Sequence, residues 1–441
     1  MRYMLLLVMA VGATSAAPPT FDITRYGAKP DGTTLATDAL AHAVSAAAAA
    51  AGGSGSAEVV VPAGRFLTGT FSLATGVYLR LERGAVLLAA TTVAAYPKSV
   101  WNWDPALIST ANASRTGIVG EGTIDGQAPG LDGTGGDSPW IDHYDPLNDF
   151  LRAKTWEGVN GCKGECRPKL VRFTDCNRIV VTGVTLQNSP DWTQLYRRCN
   201  DVLLQGITVL GSQIWGNNDG VDFESGERIR VLDSTFIVGD DGIVFASGNT
   251  NPTRLPECGS PPLPVKDVVI RNCTISSKSC AVKWEQIDFG KCDHGNLQDM
   301  VLDGLTIFNS SRGIGFQQRN GKGNIQNITV SNSKISTRYP IGTNWWGSAE
   351  PVWITNIPST PAEGASGLLG TISNLTFSNI SIVAENGILL SGIGRPIGPI
   401  VMQNVSLRLV DNLGNTVRFK LLGHFRAFVC LLSYLSFVLA H

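Results

Sequence analysis

Residues 179–186 read Ile-Val-Val-Thr-Gly-Val-Thr-Leu, and residues 202–209 read Val-Leu-Leu-Gln-Gly-Ile-Thr-Val. Both stretches follow one eight-residue pattern, in which apolar residues stand at the first, third and eighth positions and a glycine stands at the fifth. Further copies, with Gly, Asn or Asp at the fifth position, begin at Ile229, Val268, Met300, Ile328, Leu375 and Ile400. The copies therefore extend over residues 179–407, about half of the chain.

Each repeat reads as a short strand, a turn residue and a second short strand. Gly, Asn and Asp are the residues that best tolerate the left-handed backbone needed where one strand bends into the next. One such unit cannot bury its apolar face alone, so successive units must stack. The shortest intervals between copies are about 25 residues, which is close to one coil without insertions. The predicted fold is all-β, a single-stranded right-handed parallel β-helix.

A predicted helix over residues 37–51 closes the N-terminal end of this stack. The segment is alanine-rich, and Leu40 and Val44 lie at helical spacing. Thr37 or Asp38 is expected to cap the helix, and Gly52 is expected to end it. Because a stack of strands exposes apolar surface and strand edges at its ends, a capping helix is needed there.

The two ends of the chain differ in composition from the repeats. Residues 1–17 are predicted to be a secretory signal peptide, because Arg2 precedes an apolar stretch and small residues. Residues 18–410 are predicted to be the catalytic β-helix domain of a protein secreted to the extracellular space or cell wall. Residues 411–441 form a tail, and its apolar stretch over residues 425–440 is short for a membrane span. We interpret the tail as a capping strand or an incorrectly predicted exon rather than a lipid-anchor signal.

Charge and cysteine content limit the partners. The formal net charge is −1 and no basic stripe is present, so nucleic acid is not an expected partner. Nine cysteines agree with an oxidising compartment and predict disulfides, with Cys162 and Cys166 as candidates for a local bridge. Glycosylation and a structural role at coil corners both remain open for the asparagines of the Asn-x-Ser/Thr sequons: Asn112, Asn272, Asn309, Asn327, Asn374, Asn379 and Asn404.

Two acidic clusters lie about one coil apart. Residues 217–222 read Asn-Asn-Asp-Gly-Val-Asp, and residues 239–242 read Gly-Asp-Asp-Gly. Stacked coils are about 4.8 Å apart, and side-chain reach can widen this to the ~6.5–9.5 Å that an inverting glycosidase leaves for its water. Crowding also raises the pKa of carboxyl groups, which helps to keep an acid protonated. The clusters predict hydrolysis of a glycosidic bond without a metal or cofactor.

Several other stretches are similar to one enzyme family. They are Phe-Asp-Ile-Thr-Arg-Tyr-Gly-Ala-Lys-Pro-Asp-Gly at residues 21–32, Val-Val-Val-Pro-Ala-Gly-Arg-Phe-Leu at 59–67, Gly-Glu-Gly-Thr-Ile-Asp-Gly at 120–126 and Asn-Ser-Pro-Asp-Trp at 188–192. With the acidic clusters, they occur in the family's order. Over residues 21–407 the chain resembles glycoside hydrolase family 28, the polygalacturonase-like enzymes.

The resemblance implies inverting hydrolysis on a single right-handed β-helix. Asp240 would be the general acid that protonates the leaving oxygen. Asp219 and Asp241 would position and deprotonate the attacking water. Asp222 would support the site by binding substrate rather than by taking part in the chemistry.

The chain departs from the family pattern in three places. The expected Gly-His-Gly falls at residues 277–281, which read Ser-Lys-Ser-Cys-Ala, and the expected Arg-Ile-Lys falls at residues 315–317, which read Gly-Phe-Gln. Gly242 stands where a cysteine usually follows the acidic pair. These changes remove the cations that grip a substrate carboxylate, so a neutral or differently charged glycan is expected as an alternative to galacturonan.

Other side chains are predicted to line the substrate groove instead. Adjacent tryptophans in a loop can stack on sugar faces, although core packing is an equal alternative for them. The predicted substrate-binding residues besides Asp222 are Lys283, Glu285, Gln317, Arg319, Trp345 and Trp346.

Two other functions remain open. A polysaccharide lyase on the same scaffold would use calcium and a Lys or Arg base, and a wall-binding protein would bind glycan without turnover. In each case the expected protein is a monomer that binds a polysaccharide, with no nucleic acid partner and no stable membrane insertion.

Overall fold

The structure is a computed structural model that describes residues 17–96, 105–128, 167–213, 216–247, 263–287, 294–319, 321–340, 347–357, 370–392 and 397–416. Within these ranges the strands form one right-handed parallel β-helix, as predicted. The predicted signal peptide falls on residues outside the described ranges except for its last residue, and the tail beyond residue 416 also lies outside them.

The strands follow in chain order, with one α-helix and two short 3-10 helices. They are β1 (Thr20–Asp22), a 3-10 helix (Ile23–Tyr26), β2 (Asp31–Leu35), α1 (Thr37–Ala51), β3 (Ala57–Val61), β4 (Gly64–Thr68), β5 (Val77–Leu81), β6 (Ala85–Ala89), a 3-10 helix (Val93–Ala95), β7 (Ala106–Ala111), β8 (Ser114–Gly120), β9 (Thr123–Asp125), β10 (Lys169–Thr174), β11 (Asn177–Thr182), β12 (Thr185–Gln187), β13 (Gln194–Gln205), β14 (Thr208–Leu210), β15 (Val221–Leu232), β16 (Thr235–Val238), β17 (Ile243–Ala246), β18 (Val265–Arg271), β19 (Thr274–Ser277), β20 (Cys280–Ile287), β21 (Leu297–Asp303), β22 (Thr306–Ser310), β23 (Arg312–Arg319), β24 (Ile325–Thr337), β25 (Val352–Asn356), β26 (Ile372–Ala384), β27 (Leu389–Gly392) and β28 (Ile400–Leu409).

Parallel pairing between successive coils arranges these strands on three faces. Face A runs through β7, β10, β13, β15, β17, β20, β23, β25 and β27. Face B runs from β1 through β8, β11, β18, β21 and β26 to β28, and face C runs from β2 through β9, β14 and β19 to β22. The long strands β13 and β15 bend from face A into face B.

The fifth residue of each repeat has the backbone that the pattern predicted. Its φ is +74° at Gly183, +51° at Asp233, +54° at Asn272 and +54° at Asn404. This left-handed conformation turns the chain from one face to the next, and Gly, Asn and Asp adopt it at the lowest cost. The corner between faces B and C is therefore encoded locally in every repeat.

Asparagine side chains form ladders at these corners. Nδ2 of Asn379 donates to Oδ1 of Asn332 at 3.1 Å, and Nδ2 of Asn404 donates to Oδ1 of Asn379 at 2.9 Å. Nδ2 of Asn374 donates in the same way to Asn327 at 3.1 Å. These contacts support the structural interpretation of the sequons in the repeats.

A continuous stack of aromatic side chains fills the interior directly beneath face A. Ring centroids are 5.6 Å apart between Phe173 and Tyr196, 5.4 Å between Tyr196 and Phe223, and 5.6 Å between Phe223 and Phe245. The stack continues through Trp284 to Phe316. Because strand residues alternate between inside and outside, every stacked ring has outward-facing neighbours on face A.

The predicted capping helix is confirmed as α1. It packs against β1, β3 and β5 and buries Leu40 and Val44, and Gly52 ends it in the left-handed conformation. The predicted N-terminal cap was wrong, because Ala36 occupies that position and makes no side-chain bond. The hydroxyl of Thr37 instead accepts the N–H of Gly69 in the next coil, at 2.8 Å.

The described cysteines do not show the expected disulfides. Cys176, Cys199, Cys273 and Cys280 are buried free thiols. The proposed bridge between Cys162 and Cys166 lies outside the described residues. Among the residues that are described, no helix has the length and apolar character needed to cross a membrane.

Candidate active site

Two glycines bring the acidic turns of neighbouring coils together at the entry to face A. A Cβ on Gly220 would lie 2.4 Å from the carbonyl oxygen of Gly242, and a Cβ on Gly242 would lie 2.5 Å from that of Ala281. Both distances are too short for any larger residue. The close approach places Asp219 and Asp241 in adjacent coils, and it explains why glycine follows the acidic pair.

Three buried carboxylates meet at this point. Asp219, Asp240 and Asp241 each contribute an oxygen that lies within 4.8 Å of the others, and their residues are only 4–5% exposed. These oxygens therefore lie closer together than the ~6.5–9.5 Å that an inverting pair of carboxyl groups needs for its water. All three side chains leave tightly packed turns at one edge of face A, rather than facing each other across a groove. Oxygens at this spacing are also near enough to bind one divalent cation together.

Asp240 accepts two backbone hydrogen bonds. Its Oδ2 accepts the N–H of Asn217 at 2.9 Å, and its Oδ1 accepts the N–H of Asp241 at 3.0 Å. Burial, and then the charge of Asp241, raise the pKa of Asp240 to about 6. A carboxyl group with this pKa still carries a proton in mildly acidic solution, which a general acid requires.

Asp241 is held at both oxygens. Its Oδ1 accepts the N–H of Cys280 at 2.9 Å, and its Oδ2 lies 2.9 Å from Nζ of Lys283. Lys283 also forms an ion pair with Glu285. Burial lowers the pKa of Lys283, but the two carboxylates outweigh burial and hold this pKa well above its usual range. Lys283, predicted to contact substrate, is thus a fixed cation beside Asp241.

Asp219 differs from the other two carboxylates in its hydrogen bonding. Its Oδ1 is buried and, among the described residues, has no hydrogen-bond partner. Burial, and then the charges of Asp240 and Asp222, raise the pKa of Asp219 well above its usual range. A buried carboxyl oxygen in this position is able to accept a hydrogen bond from a substrate or from a reacting water.

Asn218 connects the two acidic segments, and the sequence analysis gave it no role. Its Oδ1 accepts the N–H groups of Gly239 and Asp240 at 2.9 and 3.0 Å, and its Nδ2 donates to the carbonyl oxygen of Ser212 at 2.8 Å. The residue is 1% exposed. The sequence did contain a signal for this role, because Asn218 directly precedes Asp219, a predicted catalytic residue.

Asp222 lies on face A beside this group. Its Oδ2 is buried and unpartnered within the described chain. Burial raises the pKa of Asp222 well above its usual range, and the charges of Glu224 and Asp241 add to this effect. The positive charge of Lys169 lowers the pKa of Asp222 and so partly opposes these effects.

Buried ion pairs flank the carboxylates on the N-terminal side of face A. Nζ of Lys169 lies 2.9 Å from Oδ2 of Asp191 and 4.6 Å from the ring centroid of Trp192. Arg197 pairs with Glu224 on neighbouring strands of the same face. The sequence analysis noted Asp191 and Trp192 only as part of a family landmark, because their basic partners are distant in sequence.

The predicted residues on the C-terminal side lie in two outward columns of face A. Glu285, Gln317 and Thr355 are in register on β20, β23 and β25. Arg319 is exposed at the end of β23. Trp345 and Trp346 lie outside the described residues.

A tryptophan that the sequence analysis did not select lies in the second column. Lys283 is in register with Gly315, and Gly315 is in register with Trp353, which is partly exposed. On the C-terminal side of the carboxylates, an aromatic residue is therefore present on a strand, Trp353.

Comparison with known proteins gives a consistent result. A family model described as "Glycosyl hydrolases family 28" matches residues 52–341. A "Probable polygalacturonase" of Vitis vinifera is 30% identical over 349 residues, which are 76% of this chain and 64% of the relative. An "Exo-poly-alpha-D-galacturonosidase" of Dickeya chrysanthemi is 31% identical over 53% of this chain and 43% of the relative. The chain thus spans less than two thirds of the length of both relatives.

Solved structures agree on the fold. A hyperthermoactive exopolygalacturonase from Thermotoga maritima aligns with a TM-score of 0.64 and 18% identity, over 89% of this chain and 92% of the other. A family 28 exopolygalacturonase from Yersinia enterocolitica aligns with a TM-score of 0.62 and 16% identity, over 90% of this chain and 74% of the other.

Proposed function

Because the chain belongs to glycosyl hydrolase family 28, we propose that it hydrolyses glycosidic bonds of a cell-wall or extracellular polysaccharide. The observation that carries the proposal is the group of three buried carboxylates within 4.8 Å, with one lysine bound to a single member. The lysine makes the three groups unequal. One carboxylate is ion-paired with Lys283, whereas burial raises the pKa of Asp240 to about 6, and acid–base hydrolysis needs carboxyl groups in different environments.

In the proposed reaction Asp240 is the general acid. It gives its proton to the glycosidic oxygen as the bond between that oxygen and the anomeric carbon breaks. A water attacks the anomeric carbon from the opposite side and gives its proton to Asp219 or Asp241. The base then releases this proton to solvent and Asp240 regains one from solvent, and no metal or cofactor takes part in these steps.

The stereochemical outcome proposed is inversion, on the basis of family membership. Carboxyl groups as close as ~5–5.5 Å are usual in retaining enzymes, so the short spacing here makes the anomeric configuration of the product a direct test. Inversion requires that no carboxylate attack the sugar. The contacts of Asp240 and Asp241 with backbone N–H groups and Lys283 support this, because they hold these side chains in place.

The substrate is proposed to be related to galacturonan without being a uniform chain of galacturonate. The relatives are named for galacturonan-degrading activity. In this chain Gly315 and Gln317 stand where the family resemblance places an arginine and a lysine. Without these cations, a sugar carboxylate has no charge partner there.

A calcium-dependent lyase fits the site less well. The ammonium group of Lys283 already contacts Oδ2 of Asp241, which would be a ligand for the cation. Insensitivity to a chelator, and no product that absorbs in the ultraviolet, are the results expected of the hydrolase.

We further propose that residues 1–17 direct secretion, that residues 18–410 form one catalytic unit and that the protein is monomeric. Edman sequencing of the secreted protein and light scattering test these points. A mature N-terminus well beyond residue 18 would contradict the signal-peptide assignment.

The function is tested by incubating the full-length protein with pectic, neutral and sulfated wall glycans. Proton NMR of freshly released reducing ends gives both activity and configuration. Release with inverted configuration by the wild type, absent in Asp240→Asn, is the expected result. Binding without release from any glycan would instead indicate a wall-binding protein.

A further inference from the structure

We propose that Trp353 is the platform of a subsite for an uncharged sugar ring, on the C-terminal side of the catalytic carboxylates. This inference rests on the proposed function and specifies part of its substrate. Lys283, Gly315 and Trp353 are in register on successive strands of face A. Trp353 is therefore two strand spacings, about 9.6 Å, beyond the lysine that binds Asp241.

Gly315 provides the space that the indole occupies. A Cβ on Gly315 would lie 3.3 Å from Cε3 of Trp353 and 2.7 Å from Sγ of Cys280. Any side chain at position 315 would therefore displace the indole or the thiol. The position where the family resemblance implies an arginine is closed to a side chain, and an aromatic ring lies beside it.

A buried ion pair fixes the ring. Cζ of Arg312 lies 4.0 Å from the centroid of Trp353, and Nε of Arg312 lies 3.3 Å from Oε2 of Glu350. The same oxygen of Glu350 accepts the N–H of Ser348 at 2.6 Å. Arg312 thus stacks on the indole of Trp353, and Glu350 neutralises the charge of Arg312. Arg312 therefore holds the ring in place and is not available to pair with a sugar carboxylate.

The surroundings of Trp353 favour a neutral ring. A partly exposed indole can stack on the apolar C–H face of a sugar and offers one N–H. The adjacent column presents Gln317, which can bond to hydroxyl groups, and Glu285, which is paired with Lys283 and supplies no cation for a sugar carboxylate. The exposed cation Arg319 is four residues from Gly315 along β23, or about 13 Å.

The test compares two ligands that differ only in charge. They are oligogalacturonates and the same oligosaccharides after chemical reduction of their carboxyl groups. Affinity is measured by isothermal titration calorimetry with Asp240→Asn protein, so that hydrolysis does not interfere. We expect the reduced oligosaccharides to bind more tightly. Trp353→Ala in this background should weaken their binding roughly tenfold, whereas Trp353→Phe should retain most of it.

A second comparison controls for loss of structure. The triple variant Gly315→Arg, Trp353→Ala and Cys280→Ala removes the indole and the thiol that would clash with a side chain at position 315, and it supplies the cation. It should reverse the preference toward the charged ligand. Tighter binding of oligogalacturonate by the parent, no effect of Trp353→Ala on affinity, or no binding of either ligand would each overturn the subsite. Absence of turnover by wild-type protein would instead refute the proposed hydrolase, and the binding results would still decide the role of Trp353.

Discussion

Nζ of Lys283 lies 2.9 Å from Oδ2 of Asp241, across the boundary between two coils. Lys283 is on β20, and Asp241 is in the turn before β17 of the previous coil. Insertions separate the two residues in sequence. This ion pair joins a cation directly to one of the three buried carboxylates. It makes the charge state of the candidate site depend on one side chain.

Lys283→Met should move the pH dependence of kcat. The positive charge of Lys283 lowers the pKa of Asp240, which is about 6 with the lysine present. Since the general acid must be protonated, loss of Lys283 should shift the alkaline limb upward, by on the order of one pH unit. The measurement is kcat from pH 3 to pH 9. Lys266→Met, at an exposed ion pair with Glu227, is the control. A lower kcat with an unchanged pH profile would mean that Lys283 has only a structural role.

Asp240→Asn should abolish most of the activity while the fold is kept. Removal of a general acid typically lowers kcat by about 10²–10⁴-fold. Asn has nearly the same shape as Asp, but its single amide oxygen can accept only one of the N–H groups of Asn217 and Asp241. The turn should therefore keep its fold and lose one of these two hydrogen bonds. Asp201→Asn, at an exposed pair with Arg228 on face B, should keep full activity. Turnover within tenfold of wild type would assign the acid to another residue.

The stability of the same Asp240→Asn variant relative to the wild type should increase as the pH rises. Folding raises the pKa of Asp240 from 3.8 to about 6, so the folded protein favours the protonated form. The resulting contribution to the free energy of unfolding is present below pH 4 and is lost as pH rises through 6. The difference between variant and wild type should grow by up to about 3 kcal/mol over this range. Urea denaturation at pH 4 and pH 7 measures it, and a difference independent of pH would argue against the raised pKa.

Much of the fold was predictable because each repeat encodes its own geometry. The left-handed corner at Gly183 or Asn272 is determined by the residue at that one position. A strand is determined by the alternation of apolar and polar residues within it. The position of Asp219 and Asp240 in adjacent coils followed from the length of one coil. Their actual separation did not follow, because it depends on how closely Gly220 packs against Gly242.

Contacts that cross insertions could not be predicted from the sequence. The pairing of Lys283 with Asp241, and the position of Trp353 beside Gly315, depend on register between coils that are joined by long loops. A change of one residue in register turns a strand side chain from outside to inside. Lys283 and Trp284 are consecutive on one strand, so opposite directions were expected, but which of the two faces outward required the structure.

Trp284→Ala should be among the most destabilising single substitutions on face A, and it should also lower activity. Trp284 is fully buried, its ring centroid is 4.5 Å from that of Phe316, and its Nε1 lies 2.9 Å from Sδ of Met300. Truncation of a buried aromatic residue typically costs about 3–5 kcal/mol of the free energy of unfolding. Lys283 is the next residue, so a cavity here would also loosen the cation beside Asp241.

Phe308→Ala is the matched control for that variant, because Phe308 is an aromatic residue on another face and is 38% exposed. It should change the free energy of unfolding by no more than about 0.5 kcal/mol. Urea denaturation and kcat are measured for both variants. If Trp284→Ala lost activity without losing stability, the tryptophan would act on the carboxylates directly rather than through the interior stack. Trp284 belongs to the aromatic stack and Phe308 does not. Equal losses of stability and kcat in the two variants would therefore contradict the role of the stack in supporting face A.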